Sequence, residues 1–192
     1  MSEETPLRPS VFTIGHSTHP IGEFVALLRE SGIDLLVDVR SFPGSRHAPQ
    51  FNSETLSRSL AEAGITYRHM RALGGRRSRR KDDPPSPNGL WKNAAFRNYA
   101  DYAMSGEFRT ALAELVALSR RQCCAVMCAE AVWWRCHRRI IADYLLAAGQ
   151  AVGHIMAPHT VEPARLTEGA RRLPEGGVVY PAPAAAQGTL SL

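Results

Sequence analysis

The stretch from Cys123 to Met156 constrains this chain more than any other. An apolar segment, Cys123-Cys124-Ala125-Val126-Met127-Cys128, runs into a polar loop, then a helix-patterned segment, then a second apolar run ending at Met156. Strand, loop, helix, strand is the order of a βαβ unit, which belongs to parallel sheets covered by helices. Reactive side chains cluster where the first strand ends and the helix begins. That is where open α/β sheets form their ligand crevice, and where a helix start favours anions.

The rest of the chain repeats the pattern. Val11–Ile14 is a short β-prone run broken at Gly15. Ile21, Phe24, Val25 and Leu28 then follow the spacing of one buried helix face, between Pro20 at the first turn and Gly32 at the far end. Ile33–Val39 is a nearly continuous apolar run. Asn52 or Ser53 caps a helix carrying Leu56, Leu60 and Ala63, closed by Gly64, and Ile65–His69 reads as a third strand. From Leu73 to Gly89 regular pattern gives way to a long basic loop, of the kind that forms lids or binding loops or is disordered. Two helices follow, one showing Phe96, Tyr99, Ala100 and Ala103, the next Phe108, Ala111, Leu112 and Leu115. The expected fold is a single three-layer α/β domain, Rossmann-like or rhodanese-like, with a mainly parallel sheet of about five strands.

At 192 residues there is room for one domain with a full core. We expect an N-terminal extension over 1–10, the α/β domain over 11–156 and an irregular Pro/Ala-rich tail over 157–192, in which Val178-Val179-Tyr180 is a strap able to dock. Four cysteines, two of them adjacent, do not make the regular framework of a small secreted protein and predict reduced thiols. No run of about eighteen apolar residues occurs, and Ser2-Glu3-Glu4 lacks the basic and apolar regions of a signal peptide. The expectation is a soluble cytoplasmic protein with no membrane partner. The net charge of +5 is modest and locally concentrated.

Candidate catalytic groups are Cys128, Glu130, Cys136 and His137. His16, Ser17, Asp38, Arg40, Arg46, Arg138 and Trp133 are candidates for holding substrate. Three readings fit these residues. One cysteine is a nucleophile, His137 or Glu130 moves protons, and Arg40, Arg46 or Arg138 holds an anion. Alternatively, Cys128, Cys136 and His137 bind zinc or iron, although Cys-x7-Cys-His lacks the usual paired spacing. Or Glu130 is the acid or base on a nucleoside or sugar phosphate, with the thiols only lining the pocket. Against these stand plain structural roles: buried cysteines as small hydrophobes, Asp38 with Arg40 as an ion pair, His154 as a core residue, and Trp133 with Trp134 as packing rather than a base platform. The run Arg76, Arg77, Arg79, Arg80 and Lys81 is a candidate phosphate-neutralising surface for nucleic acid.

Two resemblances bear on this. Leu36-Val37-Asp38-Val39-Arg40-Ser41 is similar to a rhodanese signature, and Leu145–Val152 to the final helix-to-strand return of that fold. The loop departs from a tight cysteine-phosphatase cradle: six residues separate Cys128 from Arg135 instead of five, and Glu130 places a carboxylate in it. A broader match is carried by Thr13-Ile14-Gly15-His16-Ser17, Asp38–Arg46, Met127-Cys128-Ala129-Glu130, Cys136-His137-Arg138 and His154-Ile155. Over roughly Phe12 to Met156 the chain resembles the bacterial family called domain of unknown function 488. The resemblance implies an α/β domain with a shared polar site and brings no settled reaction. The leading expectation is an enzyme, of hydrolase, glycosidase or cysteine-dependent transferase type, acting on an anionic small molecule, a nucleotide or nucleic acid. No cofactor is expected, with zinc or iron as the alternative. The alternatives in function are a non-catalytic nucleic-acid-binding module and a rhodanese-like sulfurtransferase.

Overall fold

A computed structural model describes residues 10–79 and 81–183; Arg80 of the basic run, the first nine residues and the tail from 184 lie outside the described residues. Strand β1 (Val11–Gly15) leads through α1 (Ile21–Glu30) to β2 (Leu35–Asp38), and α2 (Ser53–Glu62) leads to β3 (Thr66–His69). Helices α3 (Ala94–Ala103) and α4 (Gly106–Ser119) bring the chain to β4 (Cys124–Cys128). Then α5 (Arg138–Ala147), β5 (Val152–Ala157) and β6 (Thr160–Pro163) follow. The sheet order is β3-β2-β4-β1-β5-β6, with the first five strands parallel and β6 antiparallel to β5.

Period-two alternation assigns the two faces. Phe12, Ile14, Leu36, Ala125 and Met127 point to the side covered by Phe24, Leu27 and Leu28 of α1 and Leu56 and Leu60 of α2. Val11, Leu35, Val37, Cys124, Val126 and Cys128 point to the other side, under α3, α4 and α5. Both faces are covered, so every residue of β2 and β4 is buried and all but Asp38 are apolar, as a parallel sheet requires. On α1 the buried face is Phe24, Leu27 and Leu28, with Val25 at its margin.

The sixth strand extends the sheet past Met156. Its four residues are all exposed, and Pro163 is tolerated there because an edge strand leaves one side of its backbone unpaired. Beyond it the chain is irregular apart from a ribbon of β7 (Arg171–Arg172) with β8 (Val178–Val179). The strap docks: Tyr180 is fully buried, its hydroxyl donates to Asp143 Oδ2 at 2.9 Å, and Tyr144 donates to the Val178 carbonyl at 3.0 Å. The basic loop is anchored at its far end by a polar residue. Asn88 is fully buried, donates to Asp101 at 2.8 Å and accepts from the Tyr180 N–H at 2.9 Å. Among the described residues no helix is long and apolar enough to cross a membrane.

Candidate functional site

The carboxyl ends of β1, β2 and β4 lie side by side. Gly15 pairs with Cys128, and Asp38 with Met127. Backbone bonds continue past the strands: the N–H groups of His16 and Ser17 donate to the carbonyls of Cys128 and Ala129 at 2.9 and 3.1 Å. This close approach needs glycine, because a Cβ on Gly15 would sit 1.9 Å from the Glu130 carbonyl oxygen. The chain then makes a single 3-10 turn over Trp133–Arg135 and enters α5 through Cys136 and His137.

A cavity of about 510 Å3 opens here. Its floor is Cys128, Cys136 and His137. Arg40, Ser41 and Phe42 come from the end of β2, Gly75 and Arg76 from the basic loop, Phe96 and Tyr99 from α3, and Glu130 and Arg135 from the loop after β4.

The two sulfurs are in direct contact, with Cys128 Sγ 2.8 Å from Cys136 Sγ. Both side chains are buried. The Glu130 N–H donates to Cys128 Sγ at 3.3 Å, and the Arg138 N–H at the start of α5 donates to Cys136 Sγ at 3.5 Å. His137 Nδ1 lies 3.4 Å from Cys136 Sγ, while its Nε2 lies 3.3 Å from the Val39 carbonyl. A carbonyl can only accept, so Nε2 carries the proton. Nδ1 therefore faces Cys136 as a base, or as a charge partner once protonated.

The environments push the two thiols apart. Burial, then the shared proton and the charge of Cys136, raise Cys128 well above the ordinary thiol range. Burial also opposes ionisation of Cys136, but the Cys128 S–H, His137 and Arg138 outweigh it and hold Cys136 well below that range. Of the two, Cys136 is the more acidic thiol. Cys124, by contrast, is pushed up to about 12 by burial and belongs to the core.

Beneath the cavity lies a buried polar cluster. Asp38 accepts from Arg40 Nε at 2.9 Å, Arg40 Nη2 at 2.6 Å and the Tyr67 hydroxyl at 2.8 Å. Arg40 also donates to the Phe51 carbonyl at 2.7 Å. His16 Nδ1 is 2.9 Å from the Ser17 carbonyl, which fixes that nitrogen as the donor and leaves Nε2 to accept from Arg40 Nη1 at 3.3 Å. Burial first, and the Arg40 charge against it, lower His16 to about 4, so it is neutral. Asp38 is thus committed to holding Arg40 in place. Arg138 is almost fully buried and donates to the Glu130 carbonyl at 2.6 Å, with its Nε unpartnered. It ties the loop to the helix start.

Other sequence candidates lie elsewhere. Arg46 is exposed and does not line the cavity. Ser17 adopts φ 44° and supplies its carbonyl to His16. Trp133 stacks on His154 at 4.2 Å and donates to Glu162 at 3.3 Å, away from the cavity, and His154 in turn bonds Thr13 Oγ1 at 2.7 Å. In the basic loop, Arg77 packs 3.5 Å over the Tyr102 ring and donates to the carbonyls of Arg71, Ala72 and Gly74. Arg79 is bonded to the carbonyls of Asp83 and Pro84, and Lys81 is exposed. Among the described residues no group of three His, Cys, Asp or Glu side chains is placed to hold a metal ion.

Residues absent from the sequence candidates complete the site. Phe42, Phe96 and Tyr99 give it aromatic walls, and Arg135 adds charge beside Arg76, which the sequence nominated only as part of a nucleic-acid surface. The Gly74-Gly75 pair was the available signal: a Cβ on Gly75 would lie 2.4 Å from His137 Nδ1, so the loop backbone rests directly on the catalytic candidate.

Fold and site together define an α/β domain with a thiol-floored cleft at the carboxyl edge of its sheet. The family model described as Domain of unknown function DUF488 matches residues 20–145, and the chain belongs to that family. Comparison with curated proteins and with solved structures returns no match.

Proposed function

We propose that this chain is a thiol-dependent group-transfer enzyme acting on a small anionic substrate, with Cys136 as nucleophile and His137 as the group that moves its proton. The observation that carries this reading is the surround of Cys136 Sγ: a thiol donor at 2.8 Å, an imidazole nitrogen at 3.4 Å and a helix-start N–H at 3.5 Å, all at a cavity floor. Preference for an anion is supported by the lining, where Arg76 and Arg135 outnumber one carboxylate, Glu130, and the charge of Arg40 is already matched by Asp38. Glycoside hydrolysis ordinarily uses a carboxyl pair, so the thiol reading is preferred to Glu130 chemistry. Cys136 Sγ attacks an electrophilic centre, His137 delivers the proton to the leaving group, and an acceptor releases the covalent intermediate.

The test needs no known substrate. Cys136 is alkylated with iodoacetate, an anion, and with iodoacetamide, its neutral counterpart, and each rate is divided by that for free glutathione. The expected result is a larger relative rate for iodoacetate, lost in an Arg76→Gln, Arg135→Gln double variant. A folded protein whose Cys136 reacts with neither reagent near neutral pH would sink the proposal.

A further inference from the structure

The sulfur contact suggests more than activation of one thiol by another. At 2.8 Å the Cys128 and Cys136 sulfurs are well inside the roughly 3.5–4.0 Å at which unbonded carbon-sized atoms sit. Closing to the disulfide length of about 2.05 Å asks for less than about an ångström of movement. The segment between them can supply it: Ala129, Glu130 and Ala131 are exposed, and the 3-10 turn at Trp133–Arg135 is the only regular structure in it. The two thiols also differ as an exchanging pair must. Both line the cavity, but their partners differ: His137 Nδ1 and the Arg138 N–H approach Cys136 Sγ, while the Glu130 N–H approaches Cys128 Sγ.

We propose that Cys128 and Cys136 form a working dithiol that reduces a small anionic disulfide through an intramolecular Cys128–Cys136 disulfide. This rests on Cys136 being the nucleophile of the cavity, and it names the substrate class and the role of Cys128. In the first step Cys136 S⁻ attacks one sulfur of R–S–S–R′. The Cys136–S bond forms, the substrate S–S bond breaks, and R′–S⁻ leaves with the electron pair and takes a proton from protonated His137. In the second step Cys128 attacks Cys136 Sγ. Its S–Sγ bond forms, the mixed disulfide breaks, and R–S⁻ departs with the proton given up by Cys128. Two electrons pass from the cysteine pair to the substrate, giving R–SH, R′–SH and the protein disulfide. An external dithiol, small or protein-borne, returns the pair to its reduced form by the same exchange in reverse.

Cavity chemistry fits such a substrate. Carboxylates on R or R′ meet Arg76 and Arg135, and an aromatic or apolar R group meets Phe42, Phe96 and Tyr99. Phe42 is itself exposed and flanked by Arg71 and Arg76, which lie 5.8 and 5.7 Å from its ring centre.

The test uses the full chain carrying Cys123→Ser, with dithiobis(nitrobenzoate), an aromatic disulfide bearing two carboxylates, as the probe. The expected fast phase releases two nitrothiobenzoate anions per chain and leaves no adduct. Trypsin then yields the 122–135 peptide, which holds Cys128, joined to the 136–138 peptide, which holds Cys136. Adding Cys128→Ser halves the release and leaves nitrothiobenzoate bound to Cys136. A Cys128-containing protein that releases one anion and keeps the adduct on Cys136 overturns the dithiol while sparing Cys136 as the nucleophile. If Cys136 stays unmodified and no linked peptide forms, both readings fall. Because the peptide result does not use the Cys128 variant, misfolding of that variant would not rescue the proposal.

Discussion

Replacing Gly75 by alanine probes whether the basic loop sets the position of His137. A Cβ there would lie 2.4 Å from Nδ1 and 2.6 Å from Cγ of the ring, about 1 Å inside ordinary packing distance. The ring has little freedom to yield: Tyr99 packs edge-on at 5.1 Å, Val39 accepts from Nε2 at 3.3 Å, and Cys136 lies 3.4 Å from Nδ1. Overpacking of this kind costs about 1–3 kcal/mol. For a chain of this length each kcal/mol lowers Tm by about 2–4 °C. The effect on the thiol is the sharper readout. Losing the His137 contact removes about 1.4 kcal/mol of thiolate stabilisation, which raises the Cys136 midpoint by about one pH unit and cuts its thiolate fraction about tenfold below that midpoint. Iodoacetamide alkylation followed peptide by peptide across about pH 5 to 9 measures this midpoint, and circular dichroism checks the fold. A folded Gly75→Ala protein with an unchanged Cys136 midpoint would refute the claim that the loop holds the imidazole against the sulfur.

Further outcomes follow from the buried polar groups. Asp38→Asn removes the charge from a fully buried partner of Arg40, and urea denaturation should show a loss of about 3–5 kcal/mol; a loss under about 1 kcal/mol would mean the pair is not desolvated. Burial lowers His16 and His154 to about 4 each. Their unfolded forms bind protons first as pH falls below the ordinary value of about 6.5, so stability is full above that pH and declines toward 4. Each site contributes roughly 3 kcal/mol to that decline at most, and a His16→Asn protein that stays folded should show a shallower acid slope by equilibrium denaturation. Gly15→Ala, which sets a Cβ 1.9 Å from the Glu130 carbonyl, should displace the loop after β4 and lower Tm by more than Gly75→Ala, because backbone on both sides must move.

The parallel sheet and its order of elements were legible because the inner strands announced themselves by apolar runs, β3 by its place after a capped helix, and the helices by a three-to-four spacing. Residues Thr160–Pro163 were not legible as a strand. All four are exposed, with Pro158 in the turn before them and Pro163 as the last of them, so nothing in their pattern distinguishes an edge strand from loop. The cavity floor of Cys128, Cys136 and His137 could be nominated from their place at a strand end and helix start. Which thiol is the more acidic could not be, because that depends on the contact between the two sulfurs and on a His137 tautomer fixed by the Val39 carbonyl nearly a hundred positions away. Phe42 stood only as one residue of the Asp38–Arg46 segment, and Phe96 and Tyr99 as one face of a helix; their part in the cavity depends on where α3 crosses the sheet edge.

The position of β1 carries a consequence for how the molecule assembles. It is the earliest of the described strands in the chain, yet it sits between β4 and β5, and Val11 finds its partners Cys124 and Val152 only about 110 and 140 residues later. On a ribosome, the apolar Val11–Ile14 segment must wait unpaired through most of synthesis, and non-local parallel pairing of this kind makes for slow closure. The thiol floor is completed by the same event, since Gly15 seats against Cys128 when β1 docks. Refolding from denaturant should therefore restore the Cys136 thiolate only in the slowest phase, in step with burial of the first strand.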